Sequence, residues 1–481
     1  MLYYGKKSVI FGRINIKYCT FALGKIRRNN MANVIKIKKG LNIPLVGEAD
    51  NVIINAAKST RYALIPDDFH GVVPKILVKS GEKVKVGTPL MCDKNRPEVC
   101  FVSPVSGEVT EVVRGERRKV MEITLKSDDK FDAVDFGKHE ISEMTVAEIK
   151  EMLLRSGLFP YIKQRPYDII ANPEDTPRDI FVTAIDSAPL APAFSLILKR
   201  EEESLKTGLA VLARLTSGKV YLGIDNNDAV SVSVSGCETV RFEGKHPVGN
   251  VGVQIAAISP VNKGETVWTL SAFDLLLIGR LFNTGKPDFT RVIALTGSEV
   301  KRPEYLKTTV GISVDVLLNG NLKEDGRNKR IISGNVLTGT QIDEKGYLRF
   351  YSSQMTVIPE GDDCNEFLGW ATPGFGKFSV SHTFIAWLCG KKRKYDIDAR
   401  IRGGERGIIM SGEYDKVFPM NILPEFLIKA VIAFDIDKME NLGIYEVAPE
   451  DFALCEFVDT SKLPLQKIIR NGLDELMKEM N

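Results

Sequence analysis

Between Gly71 and Leu125 apolar residues alternate with polar ones in short runs, Ile76 with Val78, Val84 with Val86, and Val99 with Phe101. Glycines at 81, 87, 107 and 115 punctuate the runs. A helix needs an apolar residue every three or four positions. A period of two, broken by glycine, predicts half-buried strands joined by tight turns. The stretch is therefore a small closed β-module, and the remainder of the chain must be arranged before and after it.

Within it, VKSGEKVKVGTPL and FVSPVSGEVTEV resemble the two halves of a biotinyl/lipoyl-type barrel-sandwich hybrid. Such a carrier exposes one lysine at the tip of the hairpin joining its halves, and Lys94 lies near that place. The hairpin, followed at once by Arg96-Pro97, is shorter than the carrier pattern. Lys94 is then an attachment site or a solvated turn lysine, and the module is read as a docking or scaffold element.

The chain has 481 residues, enough for several domains with sizeable cores. Residues 1–30 carry seven Lys or Arg and no acid, which leaves 58 bases against 62 acids beyond them, so nothing marks a nucleic-acid binder. This basic opening lacks a signal-peptide core and is read as an extension, disordered or not translated, with Met31 as the working start. No run of eighteen residues escapes charge, so a membrane role is expected to be peripheral. Seven scattered cysteines without a CxxC, and four histidines far apart, suggest buried free thiols in a reducing compartment rather than a disulfide framework, zinc site or iron-sulfur cluster.

Beyond a barrel-sandwich hybrid at 31–130, Thr145 and Glu148 read as a capping box opening a helix with Val146, Ile149 and Leu153 on one face and Gly157 at its end. Buried-strand runs at 180–184 and 219–224 flank a helical pattern through Leu205, Leu209 and Leu212, which predicts a Rossmann-like α/β domain over 131–288. That domain lacks G-x-G-x-x-G. The nearest phosphate-loop string, Gly279 to Lys286, has one residue too many between its glycines. Residues 289–358 carry a ββα pattern of β-grasp type, expected to pack on the α/β domain. The segment 359–481 turns helical, with Pro424 opening a helix through Phe426, Leu427, Ala430, Val431 and Phe434 and Pro464 another through Leu465, Ile468, Ile469, Leu473 and Leu476. Between 375 and 394 an aromatic-apolar run abuts KKRK, as a buried strand ending in solvated lysines or as an apolar patch facing an anionic membrane or a partner.

No hydrolase elbow or H-E-x-x-H occurs, and His139-Glu140 reads as solvated linker charge. The one loop of interest is 244–252, GKHPVGNVG, where glycines and a proline around His246 make a rigid turn whose amides can face a ligand. Read structurally, it is a sharp corner between elements.

The order of modules is similar to that of the flavin-bearing subunit of respiratory complex I and of the C subunit of the Rnf complex. IKIKKGLNIPLVG, HPVGNVG, RVIALTGSEVKRP, ISGNVLTGT, FLGWATPGFGKFSVSHTF and VFPMNILPEFLIK are spread over residues 35–429. Through them the chain from Met31 resembles the A-subunit family of sodium-translocating NADH:quinone oxidoreductases (Na+-NQR). The resemblance implies a peripheral protein on the cytoplasmic side of the bacterial inner membrane, with five other subunits as partners, in a complex that oxidises NADH, reduces ubiquinone and exports sodium. It implies flavins and iron sites on the other subunits, and no prosthetic group or metal here. Where the Rnf relative has cluster-ligating cysteines, this chain has Cys455 alone and Phe418, and one thiolate cannot hold a cubane that needs four. The tail is thus expected to be a ferredoxin-like domain without clusters. At the quinone-reducing end, His246, Gly249 and Gly252 are the candidate quinone-binding residues, His246 as donor to a quinone carbonyl and as a proton source near its reference pKa of about 6.5. The alternatives are a biotin or lipoyl carrier using Lys94 and a structural adaptor of an Rnf-like complex.

Overall fold

The computed structural model describes residues 29–30, 33–228, 230, 232–362, 374–390 and 393–480. Residues 1–28, Cys364, Trp370 and the first part of the phrase at 367–384 lie outside them, as do Lys391 and Lys392.

The small β-module is a pair of antiparallel sheets. One holds Arg61–Leu64, Val120–Ser127, Gly107–Arg114 and Lys83–Val84; the other holds Pro74–Ile76, Pro89–Asp93 and Cys100–Val102. Their alternating residues Val84, Leu90, Val99, Phe101, Val109, Ile123 and Leu125 are buried between them. Residues before the module leave it. Asn33–Ile37 joins the large sheet beside Cys237–Gly244, and Asp50–Asn55 pairs with Glu304–Thr309 in the third sheet. The module is thereby tied into both of its neighbours by the chain that leads into it.

The large sheet has five parallel strands, in the order Asn33–Ile37, Cys237–Gly244, Val220–Asp225, Ile180–Thr183, Val267–Ser271, and an antiparallel edge starting with Lys163–Arg165. The chain steps outward from Ile180–Thr183 through two strands and then returns to its other side at Val267–Ser271. The strand order therefore reverses beside Ile180–Thr183. The leading helix Val146–Arg155 has the expected capping box, Thr145 Oγ1 accepting from Glu148 N at 3.3 Å and Glu148 Oε2 accepting from Thr145 N at 2.7 Å. Its buried stripe is Ile149, Met152 and Leu153; Val146, expected on that stripe, stays 41% exposed because the first turn extends past the core. Gly279, read as part of a phosphate-loop string, lies inside the helix Ala272–Thr284, where an added Cβ would sit 1.8 Å from the Ser204 carbonyl oxygen. The string is a close helix crossing capped by Gly285, whose φ of +74° is open to glycine.

The third sheet contains Thr290–Thr296 and Glu304–Thr309 as a hairpin, followed by the helix Val314–Leu318 and the strands Lys329–Ser333, Thr340–Ile342 and Gln354–Pro359. It packs on the α/β unit through buried Arg291, which donates to Asp274 Oδ1 at 2.6 Å. The C-terminal segment builds its own core from Phe418, Leu427, Phe452, Leu454 and Leu473 on the helices Pro424–Ile432, Ala453–Val458 and Leu465–Met480 and the loop before them. Phe426 and Phe434, placed on that helical pattern, are 50% and 65% exposed: the buried face of the helix is Leu427, Ile428, Ala430 and Val431, one step round from Phe426, and Phe434 lies beyond the helix end at Ile432. Of the two readings of the run at 375–394, the buried strand is not formed in its described part: the chain there is a loop with a single 3-10 turn, Ile385–Cys389, from which Trp387 and Leu388 are 50% and 65% exposed. Among the described residues no helix is long and apolar enough to cross a membrane, and no cluster of His, Cys, Asp and Glu is arranged to hold a metal. Cys455 is fully buried, and burial holds its thiol well above the usual range.

Candidate functional site

In an open parallel sheet, ligands sit beyond the carboxyl ends of the strands, where the order reverses. Here that edge gathers the residues after Ile180–Thr183 and the turn 244–252. Thr183 Oγ1 donates to the Gly249 carbonyl at 3.1 Å and accepts from Gln254 Nε2 at 2.9 Å. Ser187 Oγ accepts the Gly249 N–H at 2.8 Å and lies 3.1 Å from His246 Nδ1. The hydroxyl keeps a second lone pair beside the one that accepts from Gly249, so it can donate to Nδ1 or accept from it; it donates in the tautomer that carries the imidazole proton on Nε2. The His246 N–H donates to Asn42 Oδ1 at 2.9 Å, and its carbonyl accepts from Leu41 N at 2.8 Å. The His246-Pro247 bond is cis.

The glycines are there for close approach. A Cβ on Gly249 would lie 2.7 Å from Ser187 N, and one on Gly252 would lie 2.4 Å from Asp451 Oδ2. Gly252 is the second residue of the helix Val251–Ile258, so this helix presses its first turn against the C-terminal domain. There Asp451, fully buried, accepts from Arg165 Nη1 at 3.2 Å and from Ala448 N at 2.9 Å. Arg165 also donates to Glu450 Oε1 at 2.9 Å, and Arg470 donates to Asp168 Oδ2 at 3.1 Å. Burial raises the Asp451 carboxyl, and the guanidinium of Arg165 opposes that rise.

His246 is 6% exposed, and burial lowers its imidazole to about 4. This corrects the expectation of a proton source near 6.5: at neutral pH the ring is uncharged and offers one N–H donor. The structure brings His246 and Gly249 together around Ser187, and turns Gly252 away toward Asp451. Lys94 stands elsewhere, exposed on the turn after Pro89–Asp93, with its N–H donated to Val73 O at 2.8 Å. Ser187, Asn42, Arg165 and Asp451 were not singled out by sequence. Only Ser187 carried a signal, as a small polar residue just past the end of a predicted buried strand.

Comparison with known proteins sets this geometry in a family. The chain is 35% identical over 451 residues to the A subunit of Na(+)-translocating NADH-quinone reductase from Pasteurella multocida, covering 93% of this chain and 100% of that protein. The chain belongs to the NqrA family, the A subunits of Na(+)-translocating NADH-quinone reductases. The same name is carried by a Serratia proteamaculans protein, 37% identical over 455 residues, and a Tolumonas auensis protein, 36% identical over 450, each covered in full. Three family descriptions divide the chain: "NqrA N-terminal barrel-sandwich hybrid domain" over residues 35–128, "NqrA second alpha/beta domain" over 144–287, and "NQRA C-terminal domain" over 292–344. Thr183, Ser187, His246 and Gly249 all fall in the second of these, so the strand-edge corner lies within a family-defined unit.

Proposed function

We propose that this chain is the peripheral NqrA component of a membrane complex that oxidises NADH, reduces ubiquinone to ubiquinol and exports Na+. It contributes to the quinone-reducing end and carries no prosthetic group of its own. One observation carries the reading: similarity to proteins named for this activity runs through their whole length rather than through one domain. The expected partners are the five other subunits, which hold the flavins and iron sites, and the expected side is the cytoplasmic one. In finer detail the reading takes residues 31–130 as the barrel-sandwich hybrid, 131–288 as a Rossmann-like domain, 289–358 as a β-grasp, and 359–481 as a ferredoxin-like domain that docks without clusters. The order of the parallel strands supports the Rossmann-like part.

At the quinone-reducing end, His246 Nε2–H is the donor to a quinone carbonyl, and Gly249 and Gly252 let the turn close against Ser187 and Asp451. The imidazole acts as a neutral hydrogen-bond donor and not as an acid, because of its burial. Purification of the complex and of the isolated chain tests the reading. The chain is expected to co-purify with membrane subunits and to be colourless alone; stoichiometric flavin or iron absorption in the isolated chain refutes it. The carrier alternative draws on the exposure of Lys94. Intact mass decides it, since an attached group adds a fixed mass that Lys94→Ala removes.

A further inference from the structure

Two thiols face each other near the tip of the small β-module. Cys92 and Cys100 are register partners on the antiparallel strands Pro89–Asp93 and Cys100–Val102. The neighbouring amide of Asp93 donates to Val99 O at 3.1 Å, so residues 93 and 99 form the hydrogen-bonded pair and residues 92 and 100 the non-hydrogen-bonded one. In a pair of that kind the Cα atoms are about 4.5 Å apart and both side chains stand on one face, inside the ~4.4–6.8 Å that a disulfide spans. Both cysteines are free; Cys92 is buried and Cys100 is partly open. The turn between them is already fixed. Asp93 Oδ1 accepts from Asn95 N at 3.1 Å, Asp93 Oδ2 from Arg96 Nε at 3.2 Å, and Val99 N donates to Arg96 O at 2.9 Å.

We propose that Cys92 and Cys100 form a reversible dithiol–disulfide site that takes a small disulfide of the glutathione class as its oxidant. The open Cys100 thiolate attacks one sulfur of glutathione disulfide, forming a mixed disulfide and releasing one glutathione thiolate. The Cys92 thiolate then attacks Cys100 Sγ and releases the second glutathione. Two protein thiols become one disulfide, the oxidant becomes two glutathione molecules, and the two protons lost from the protein thiols end on these. Burial raises both thiols, so both are protonated at neutral pH and oxidation quickens as pH rises. The site matters for domain contact because Arg96, inside the closed turn, donates through Nη1 to the carbonyls of Ile170 and Ala171 at 3.2 and 3.3 Å, on the edge of the large sheet. Oxidation fastens the turn that makes this contact.

The sequence supplies the assay. Trypsin cuts after Lys94, and Arg96 is protected by Pro97, so Cys92 and Cys100 fall in different peptides, residues 86–94 and 95–114. The folded full-length chain is incubated with glutathione disulfide at pH 8, remaining thiols are alkylated, and the digest is mapped, with the urea-unfolded chain as a control that oxidation occurs. The two peptides are expected to run joined and to separate after dithiothreitol, with both alkylation equivalents lost. Cys92→Ser is expected to stop Cys100 at the mixed disulfide, and Cys100→Ser to leave Cys92 unreacted. The proposal is overturned if wild-type Cys92 and Cys100 are both alkylated while the control is oxidised. It is equally overturned if Cys100 remains glutathionylated or if either thiol joins another cysteine.

Discussion

Replacing Gly252 by alanine probes the corner where the α/β unit meets the C-terminal domain. On helix propensity alone the change is favourable, by at most about 1 kcal/mol. The new methyl, however, would sit 2.4 Å from Asp451 Oδ2 and 2.8 Å from its Cγ. Asp451 must then move, and it is one half of a fully buried pair with Arg165. Breaking such a pair leaves a charge buried and uncompensated, at about 3–5 kcal/mol. The net expectation is a loss of about 2–4 kcal/mol from the docking of residues 448–458 on the helix Val251–Ile258. Because a chain of several domains need not unfold in one step, hydrogen exchange read by peptide is the appropriate assay. Amides of the helix Ala453–Val458 are expected to exchange about thirty-fold to several hundred-fold faster, at one decade per 1.4 kcal/mol, while the strand Val220–Asp225 is unchanged. Gly404→Ala, where a Cβ meets nothing within 4 Å, is the control. In the Asp451→Ala background, Gly252→Ala is expected to cost much less, since the clash is gone. Exchange no faster than in the Gly404→Ala control would mean that the Arg165–Asp451 pair accommodates the methyl without loss.

The neutral state of His246 gives a pH dependence. Its folded value of about 4 lies below the unfolded value of about 6.5, so protonation favours the unfolded chain. Stability is expected to be complete above pH 6.5 and to fall by about 3 kcal/mol as pH drops toward 4, relative to His246→Asn, in urea unfolding series at several pH values. In the assembled complex, His246→Asn is expected to raise KM for ubiquinone about tenfold, the worth of about 1–1.5 kcal/mol of hydrogen bond, with no new slope in kcat between pH 6 and 8; unchanged KM contradicts the donor role. Arg291→Met leaves Asp274 buried and unpaired and is expected to destabilise the junction of the third sheet by about 3–5 kcal/mol, seen as faster exchange in Thr290–Thr296. Thr145→Ala removes a cap and is expected to cost about 1 kcal/mol in the helix Val146–Arg155.

Local chemistry made much of this fold legible. The alternation around Val84, Val99 and Phe101 marked the small module, the Thr145–Glu148 box marked a helix start, and the runs at 180–184 and 219–224 marked adjacent parallel strands. What sequence could not show was long-range partnership. Nothing in NVIKI or DNVIIN says that each adds to a sheet formed some 200 or more residues later. Phe426 fits the apolar pattern yet is exposed because helical periodicity locates a stripe only to within a residue and the packed partner decides the rest, while Phe434 falls past the helix end, a boundary the pattern does not mark. At the candidate site, three glycines around His246 signalled close approach but not what approaches. Ile37, Ser187 and Asp451 fill those spaces, and burial of the ring is what sets the protonation of the imidazole.

The proposed dependence of quinone reduction by the complex on this chain is a dependence on a protein expected to hold no redox group itself. Its most direct measurement is NADH-driven ubiquinol formation in membranes from cells lacking this chain, before and after adding back the purified, spectroscopically colourless protein. Ubiquinol formation is expected to be lost without the chain and restored by it. Full ubiquinol formation in its absence, or restoration only by a preparation that carries flavin or iron, would contradict that dependence.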